Sequence, residues 1–294
     1  MIPGAIAALR PSERLTALVL AGLLALAVFA RPEGWAPRSA AFAGLLLALL
    51  ALVVLDRGRA RGLAASALRD FLPILVVLLV FLLLQPLVVA VNAHRWDAAL
   101  AAADRRWFGA LAAHWHGAFG RPAAFTDAVY VAYASFYFLP ITVAVLARIR
   151  SGPEGFERVA FRILLGFYLS FLGYFLWPAE GPRVPEALAA AQLGGGTVSQ
   201  AVRAFLHGAE STTLDAFPSG HTALSVLPAL LATRPFPRLA PLLWVWALAV
   251  VFATVYIGVH YVADVAAGLL LAGLTLVLAG PLSRWLERPF SARG

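Results

Sequence analysis

Residues 239–280 read LAPLLWVWALAVVFATVYIGVHYVADVAAGLLLAGLTLVLAG and contain two apolar runs, 239–257 and 262–280, joined by a short segment. Each run approaches the roughly 20 residues that an α-helix needs to cross the hydrocarbon core of a bilayer. The joining segment carries His260, and an ionisable group at the mouth of a membrane span indicates a functional site. This stretch therefore predicts a hairpin of membrane helices with a functional histidine at its turn.

The same apolar pattern runs through the rest of the chain. Its 294 residues are 62% hydrophobic with a mean hydropathy of +0.84, whereas a soluble domain is nearer roughly half apolar. Eight apolar runs are present, at 15–30, 40–55, 71–91, 125–147, 159–177, 218–233, 239–257 and 262–280. We therefore expect an all-α, polytopic integral membrane protein with about eight transmembrane helices.

Charge and cysteine content narrow the possibilities further. The chain has no cysteine, which excludes disulfides and thiolate metal sites. All 23 basic residues are arginines, and because they lie in loops and not in a basic stripe, we expect no nucleic-acid partner. Fifteen arginines fall on the side of both termini and eight on the other side, which predicts cytoplasmic termini and an extracytoplasmic loop at 178–217. The expected location is the cytoplasmic membrane of a bacterium.

The segment between the third and fourth runs, about residues 95–119, has the pattern of a helix lying in the membrane interface. Apolar residues recur at helical spacing at Trp96, Leu100, Ala103, Trp107 and Leu111. Asp104, Arg105 and Arg106 lie elsewhere on the helical wheel. A surface anchor is the favoured interpretation, and a lid over a site is the alternative.

Two segments at the same predicted membrane face carry candidate catalytic residues. In FPSGHTALSV, residues 217–226, His221 stands at the start of the sixth run, and in YIGVHYVADVAAG, residues 256–268, Asp264 follows His260 by four residues. If a helix begins near His260, the carboxylate lies on the same face as the imidazole and orients it. The sixth span runs inward and the seventh runs back, so we expect His221 and His260 to meet.

The surroundings of His221 favour an anionic ligand. Pro218, Ser219 and Gly220 form a helix start, whose free N–H groups and positive dipole end attract phosphate. The loop WPAEGPRVP adds Arg183 on the same face. Anion donors around a histidine pair favour phosphoryl transfer, in which one histidine attacks phosphorus and the other protonates the leaving oxygen. No Walker-type loop is present, so a nucleotide-dependent kinase or ATPase is not expected. A metal-dependent membrane hydrolase with His221, His260 and Asp264 as ligands, and a non-enzymatic transporter or lipid scaffold, stay open as alternatives.

These residues resemble the type 2 phosphatidic acid phosphatase superfamily. FPSGH and YIGVHYVADVAAG are similar to its second and third motifs, and WPAEGPR is similar to its first motif in the inositol phosphorylceramide synthase (inositolphosphotransferase) branch. The resemblance implies that His260 is a nucleophile that becomes phosphorylated, Asp264 its orienting partner and His221 the general acid. It covers about residues 159–280, with the motifs within 173–268.

The resemblance also implies a phosphate site, a domain division and no cofactor. Ser219, Gly220 and Arg183 match phosphate-binding positions, and no metal is required. Because the family core has six spans, residues 71–294 are expected to form a six-helix catalytic membrane domain. Residues 1–70 then add two N-terminal transmembrane helices.

Departures from the phosphatase pattern favour transfer over hydrolysis. The first-motif lysine is absent from this lysine-free chain, and Ala253 and Thr254 replace the Ser-Arg pair that precedes the third-motif histidine. Fewer cations suit a phosphodiester monoanion, and His260 with Tyr261 reproduces the HY-x-x-D pattern of the synthases. We therefore expect a lipid phosphotransferase acting on a membrane phospholipid and a lipid or polyol alcohol. Water as acceptor would make it a lipid phosphate phosphatase.

Weaker signals concern the substrate pocket. Tyr130, Tyr133 and Tyr137 follow helical spacing and are candidates for the pocket, as are Tyr261 and Asp215, although packing or capping explains several of them equally well. Asp127 is a further candidate for orienting an acceptor. His114 and His116 are two residues apart and point to different helix faces, so joint ligation is not expected.

Overall fold

The computed structural model describes residues 8–56, 63–109, 111–119, 122–182, 193–209 and 213–288, and within these ranges the regular structure is entirely helical. In chain order the α-helices are α1 Pro11–Ala30, α2 Trp35–Asp56, α3 Leu63–Phe81, α4 Gln85–Val91, α5 Asp97–Phe108, α6 Leu111–Phe119, α7 Ala123–Ala134, α8 Phe138–Leu176, α9 Thr197–Ala209, α10 Gly220–Thr233, α11 Ala240–Tyr256 and α12 Val262–Glu287. The predicted all-α membrane class is confirmed.

Each predicted apolar run is mostly helical, although the third run, 71–91, is interrupted between α3 and α4. Four elements of the described chain are long and apolar enough to cross a membrane, at 11–30, 35–55, 123–176 and 262–287. There is a fifth candidate span if α3 and α4, whose axes are bent by 59° relative to each other, count as one broken span. The helices α10 and α11 are apolar but have only 14 and 17 residues. The count of eight therefore stays a prediction.

The long element ending at Leu176 contains the fourth and fifth predicted runs. Its backbone leaves helical geometry at Ser151 and Gly152, where the φ of Gly152 is +64°. A Cβ on Gly155 would lie 3.0 Å from the carbonyl oxygen of Ala147, eight residues earlier. In a straight helix, positions eight apart are separated by about 12 Å along the axis. The chain therefore folds back at Gly152, as two consecutive spans require.

Helix α10, which follows the PSGH motif, is the centre of the bundle. It packs against α8, α11 and α12, and ten of its 14 residues are buried. The side chain of Leu224 points from this helix towards Gly166 of α8. A helix that is apolar on all sides belongs in the interior of a bundle. Its first turn is therefore held rigidly where the candidate site begins.

The two ends of the bundle differ in character. At one end, which we call the charged end, Arg69 makes a two-pronged salt bridge to Glu13, and Arg10 and Arg148 both bind Asp70. At the other end, the backbone N–H of Trp96 donates to the carbonyl of Pro178. The third and fifth predicted loops thus meet at the end opposite to the second and fourth, as an alternating topology demands. Which end is cytoplasmic stays a prediction.

The charged end attaches helix α1 to α3. Glu13 is 1% exposed and Arg69 is 6% exposed. Removing one partner of a buried ion pair leaves an uncompensated charge, at a cost of about 3–5 kcal/mol. We expect Glu13→Gln to lower the free energy of unfolding in detergent by about 3 kcal/mol, measured by denaturant titration of tryptophan fluorescence.

The exposed Glu33 supplies the matched control, because Glu33→Gln removes the same charge where no buried partner is left behind. The double variant Glu13→Leu with Arg69→Met is expected to recover much of the lost stability. Equal stabilities for Glu13→Gln and Glu33→Gln would show that the buried pair does not hold these helices.

Candidate active site

The PSGH segment starts helix α10 through its serine. Ser219 is the N-cap residue, with φ −60° and ψ 106°, and its Oγ accepts a hydrogen bond of 3.2 Å from the backbone N–H of Thr222. Its own N–H donates to the carbonyl oxygen of Asp264 at 3.0 Å. One residue thus caps the helix after the second motif and ties it to the third. This bond fixes His221 beside the HYVAD segment.

Two glycines permit the close backbone approach that this arrangement needs. A Cβ on Gly268 would lie 2.6 Å from the carbonyl oxygen of Ser219, and a Cβ on Gly220 would lie 2.7 Å from the hydroxyl oxygen of Tyr174. The first contact is with backbone and leaves no room for a side chain, and the second would displace the Tyr174 hydroxyl. The glycines therefore allow α12 and α8 to close on the start of α10.

His260 and Asp264 are brought together by a helix cap. Helix α12 begins at Val262, so His260 precedes it, and the predicted contact with Asp264 arises from the helix cap and not from a shared helix face. Asp264 is the third residue of the helix, and its Oδ2 accepts 2.8 Å from the N–H of Tyr261 in a capping box. The same oxygen lies 3.4 Å from Nδ1 of His260. Both side chains are buried, so the carboxylate orients the imidazole.

The two histidines meet as the order of the spans predicts. Nε2 of His260 lies 3.3 Å from Nδ1 of His221, although 39 residues separate them in the chain. Because Asp264 contacts Nδ1, the other ring nitrogen of His260 is the one that faces His221. The three groups form a relay in the order Asp264, His260, His221.

This order bears on the metal-site alternative. Asp264 and His221 contact opposite edges of the His260 ring. Three ligands of one ion must instead point at a common centre. Among the described residues, no group of three or more histidines and carboxylates has the geometry of a metal site. The relay suits proton and phosphoryl transfer better than ligation.

Aromatic side chains hold the ring of His221. Tyr133 stacks on it with a centroid distance of 4.5 Å, and Phe136 lies at 4.4 Å. Tyr130 instead lies beneath the guanidinium of Arg203 at 5.1 Å. Tyr137 is the last residue of a 3₁₀ turn at Ser135–Tyr137, so it leaves the stripe that the spacing predicts. Of the three predicted tyrosines, Tyr133 thus stacks directly on a catalytic candidate.

Two cavities reach the histidine pair. One, of about 40 Å³, is mainly apolar and is lined by His221, Asp215, Tyr137 and side chains of α3 and α8. The other, of about 320 Å³, is lined by His260, Tyr261 and residues of α5 and α6. Tyr130 lines neither of these two cavities. The pair therefore has an apolar approach on the His221 side and a wider, more polar one on the His260 side.

The loop of the first motif borders the wider cavity. Gly181 has a φ of +83°, and a Cβ there would lie 2.3 Å from the carbonyl oxygen of Val259, so only glycine fits beside the HYVAD segment. Pro182 lines the cavity. The predicted phosphate ligand Arg183 lies outside the described residues. The described part of this loop, which ends at Pro182, therefore borders the site.

The predicted interfacial helix is two helices, and it covers the site. The helices α5 and α6 are separated at Gly109, whose φ is +64°. Asp97 accepts hydrogen bonds from the N–H groups of Glu180 and Gly181, at 3.0 and 2.9 Å from its Oδ1. Asp104 accepts 2.9 Å from the N–H of Ala263, at the start of α12. Of the two interpretations, the lid agrees better with these contacts.

Other candidates have structural roles. Oδ1 of Asp127 accepts from the N–H groups of Gly196 and Ser199 at 2.8 and 2.9 Å, which caps helix α9. Nε2 of His116 lies 2.7 Å from the carbonyl oxygen of Tyr256, whereas His114 is exposed. His116 thus contacts the end of α11, and His114 does not share that environment.

Sequence reasoning missed four residues that border the site: Asp97, Asp104, Arg105 and Phe136. The first three lie on the polar face of an amphipathic segment on the same predicted side as the histidines. The amphipathic pattern together with the shared membrane side could have indicated that these three residues border the site. For Phe136 there was no such signal, because its contact with His221 depends on the 3₁₀ turn that follows α7.

Comparison with known proteins places this site in a family. The family model described as the PAP2 superfamily matches residues 98–278, which include α5, the first-motif loop, both histidines and Asp264. No curated protein and no solved structure gives a significant match.

Proposed function

Since the chain belongs to the PAP2 superfamily, whose chemistry is phosphatase- and phosphotransferase-type reactions of lipid phosphates, we propose that it is a membrane lipid phosphotransferase with a phosphohistidine intermediate. The observation that carries this proposal is the relay of Asp264, His260 and His221, with contacts of 3.4 and 3.3 Å. We assign the chain to the inositol phosphorylceramide synthase branch on the motifs WPAEGPR and HY-x-x-D.

In the first half-reaction His260 is the nucleophile. Its Nε2 attacks the phosphorus of a phospholipid while Asp264 stabilises the positive charge that develops on the ring. The bond between phosphorus and the lipid alkoxide breaks, and His221 donates a proton to that oxygen. The departing diacylglycerol lies on the side of the apolar cavity that His221 lines.

In the second half-reaction the same groups work in reverse. The hydroxyl of an alcohol attacks the phosphorus on His260, and His221, now neutral, accepts the hydroxyl proton. The nitrogen–phosphorus bond breaks, and both histidines return to their starting protonation states. An alcohol acceptor gives a new phosphodiester, and water gives a phosphomonoester or phosphate.

Transfer is favoured over hydrolysis by the charge around the site. Thr254, which stands where the phosphatases carry arginine, is fully buried, and its carbonyl accepts the N–H groups of Val259 and His260. An uncharged residue at this position leaves less positive charge for a monoester dianion. We assign Ser219, Gly220 and Arg183 to phosphate binding, and Tyr133, Tyr137, Tyr261 and Asp215 to the pocket. Residues 71–294 form the proposed catalytic domain, with the site facing away from the cytoplasm.

The proposal is tested by following lipids through the reaction. We expect the detergent-purified protein, incubated with a total lipid extract of its host, to deplete one phospholipid and form one new phosphodiester, identified by mass spectrometry. The expected activity survives addition of EDTA. The matched control is the same incubation with His260→Ala.

The alternatives give different products. Release of inorganic phosphate from phosphatidic acid, without a new phosphodiester, would show a lipid phosphate phosphatase that uses the same histidines. Loss of activity in EDTA and its return with added metal would show a metal-dependent hydrolase.

A further inference from the structure

We propose that Arg105, on the helix that covers the site, binds the phosphate of the lipid headgroup in the wider cavity. This inference rests on the proposed function and adds a residue that lies outside the three family motifs. The expected ligand is a phosphodiester monoanion together with the polar group attached to it.

The position of Arg105 is the first observation. Its side chain lines the same cavity of about 320 Å³ as His260 and Tyr261. Helix α5 is held there at both ends, because Asp97 binds the first-motif loop and Asp104 binds the start of α12. The guanidinium is therefore presented to the cavity by an anchored helix.

The second observation is that this guanidinium has no competing partner. Arg105 makes no salt bridge or hydrogen bond with any residue of the described chain. The adjacent carboxylate of Asp104 is occupied by the N–H of Ala263, at the positive end of α12. Arg105 is the one arginine among the described residues that line the cavity. Its planar guanidinium suits the oxygens of a phosphodiester.

A hydroxyl group that lines the same cavity complements the arginine. Burial and the carboxylates of Asp97, Asp264 and Asp104 raise the pKa of the Tyr261 phenol to about 12. The hydroxyl is therefore protonated at neutral pH and is available to donate a hydrogen bond to a phosphate oxygen. The cavity lies at the lower end of the roughly 300–1,000 Å³ typical of small-molecule sites, which suits a headgroup and not a whole lipid.

The test measures binding of orthovanadate to the detergent-purified full chain by isothermal titration calorimetry. We expect Arg105→Ala to raise the dissociation constant about tenfold or more, since a charge-assisted hydrogen bond is lost. Arg105→Lys keeps the charge without the planar fork and is expected to lie between the wild type and the alanine variant.

Arg106→Ala is the matched control, because Arg105 and Arg106 are both exposed on the same helix and of the two only Arg105 lines the cavity. We expect it to change the dissociation constant by less than about twofold, because Arg106 does not line the cavity and a surface substitution away from a site has a small effect. Equal effects of Arg105→Ala and Arg106→Ala, or no vanadate binding by the wild type, would overturn the inference. If the wild type turns over no lipid, the proposed function fails, whereas the titration still decides the role of Arg105.

Discussion

Replacing His260 by alanine is expected to lower lipid turnover by about 10⁴- to 10⁶-fold, the range seen when a covalent nucleophile is removed. The imidazole is buried between Asp264 and His221, and no other described group occupies the position between them. Without this imidazole, the proposed nucleophile that accepts the phosphoryl group is missing. The measurement is the initial rate of product formation in detergent, and the same samples are assayed for an acid-labile phosphoryl group on the protein.

The control for this substitution is His114→Ala, because His114 is exposed and lies on the neighbouring covering helix. We expect His114→Ala to retain turnover and the phosphoryl label. Equal activity of the two variants would identify the protein as a transporter or lipid scaffold, or place the chemistry elsewhere.

Replacing His221 by alanine is expected to lower turnover of natural lipids by about 10²- to 10⁴-fold, the contribution of a general acid. The loss should depend on the leaving group. A diacylglycerol alkoxide needs a proton as it departs, whereas p-nitrophenolate leaves without one. With a p-nitrophenyl phosphodiester we therefore expect His221→Ala to release p-nitrophenol at nearly the wild-type rate in the first turnover, measured by stopped-flow absorbance.

His94→Ala serves as the control, since His94 is exposed at the same end of the bundle. The outcome that contradicts the assignment is an equal loss with both substrates, because a histidine needed only for packing does not distinguish leaving groups. His221 would then be a positioning residue held between Tyr133 and Phe136.

Much of the fold follows from the length and order of the apolar runs. A polar backbone must satisfy its hydrogen bonds within each segment in lipid, so such runs become helices. The alternation of helices then predicts which loops share an end, and the contact between Trp96 and Pro178 agrees with it. The predicted boundary at residue 70 falls inside helix α3, because helix ends extend beyond the apolar stretch that marks them.

The sequence by itself determined the all-helical membrane class and, through span counting, that His221 and His260 lie at one end, because these depend on local composition and chain order. Only the tertiary structure decided how the groups meet. The contacts of Asp264 and His221 depend on how closely α8, α10 and α12 approach one another. The position of Arg105 in the cavity lining depends on where α5 is anchored. Those distances result from side-chain packing between segments far apart in the chain, which local periodicity does not specify.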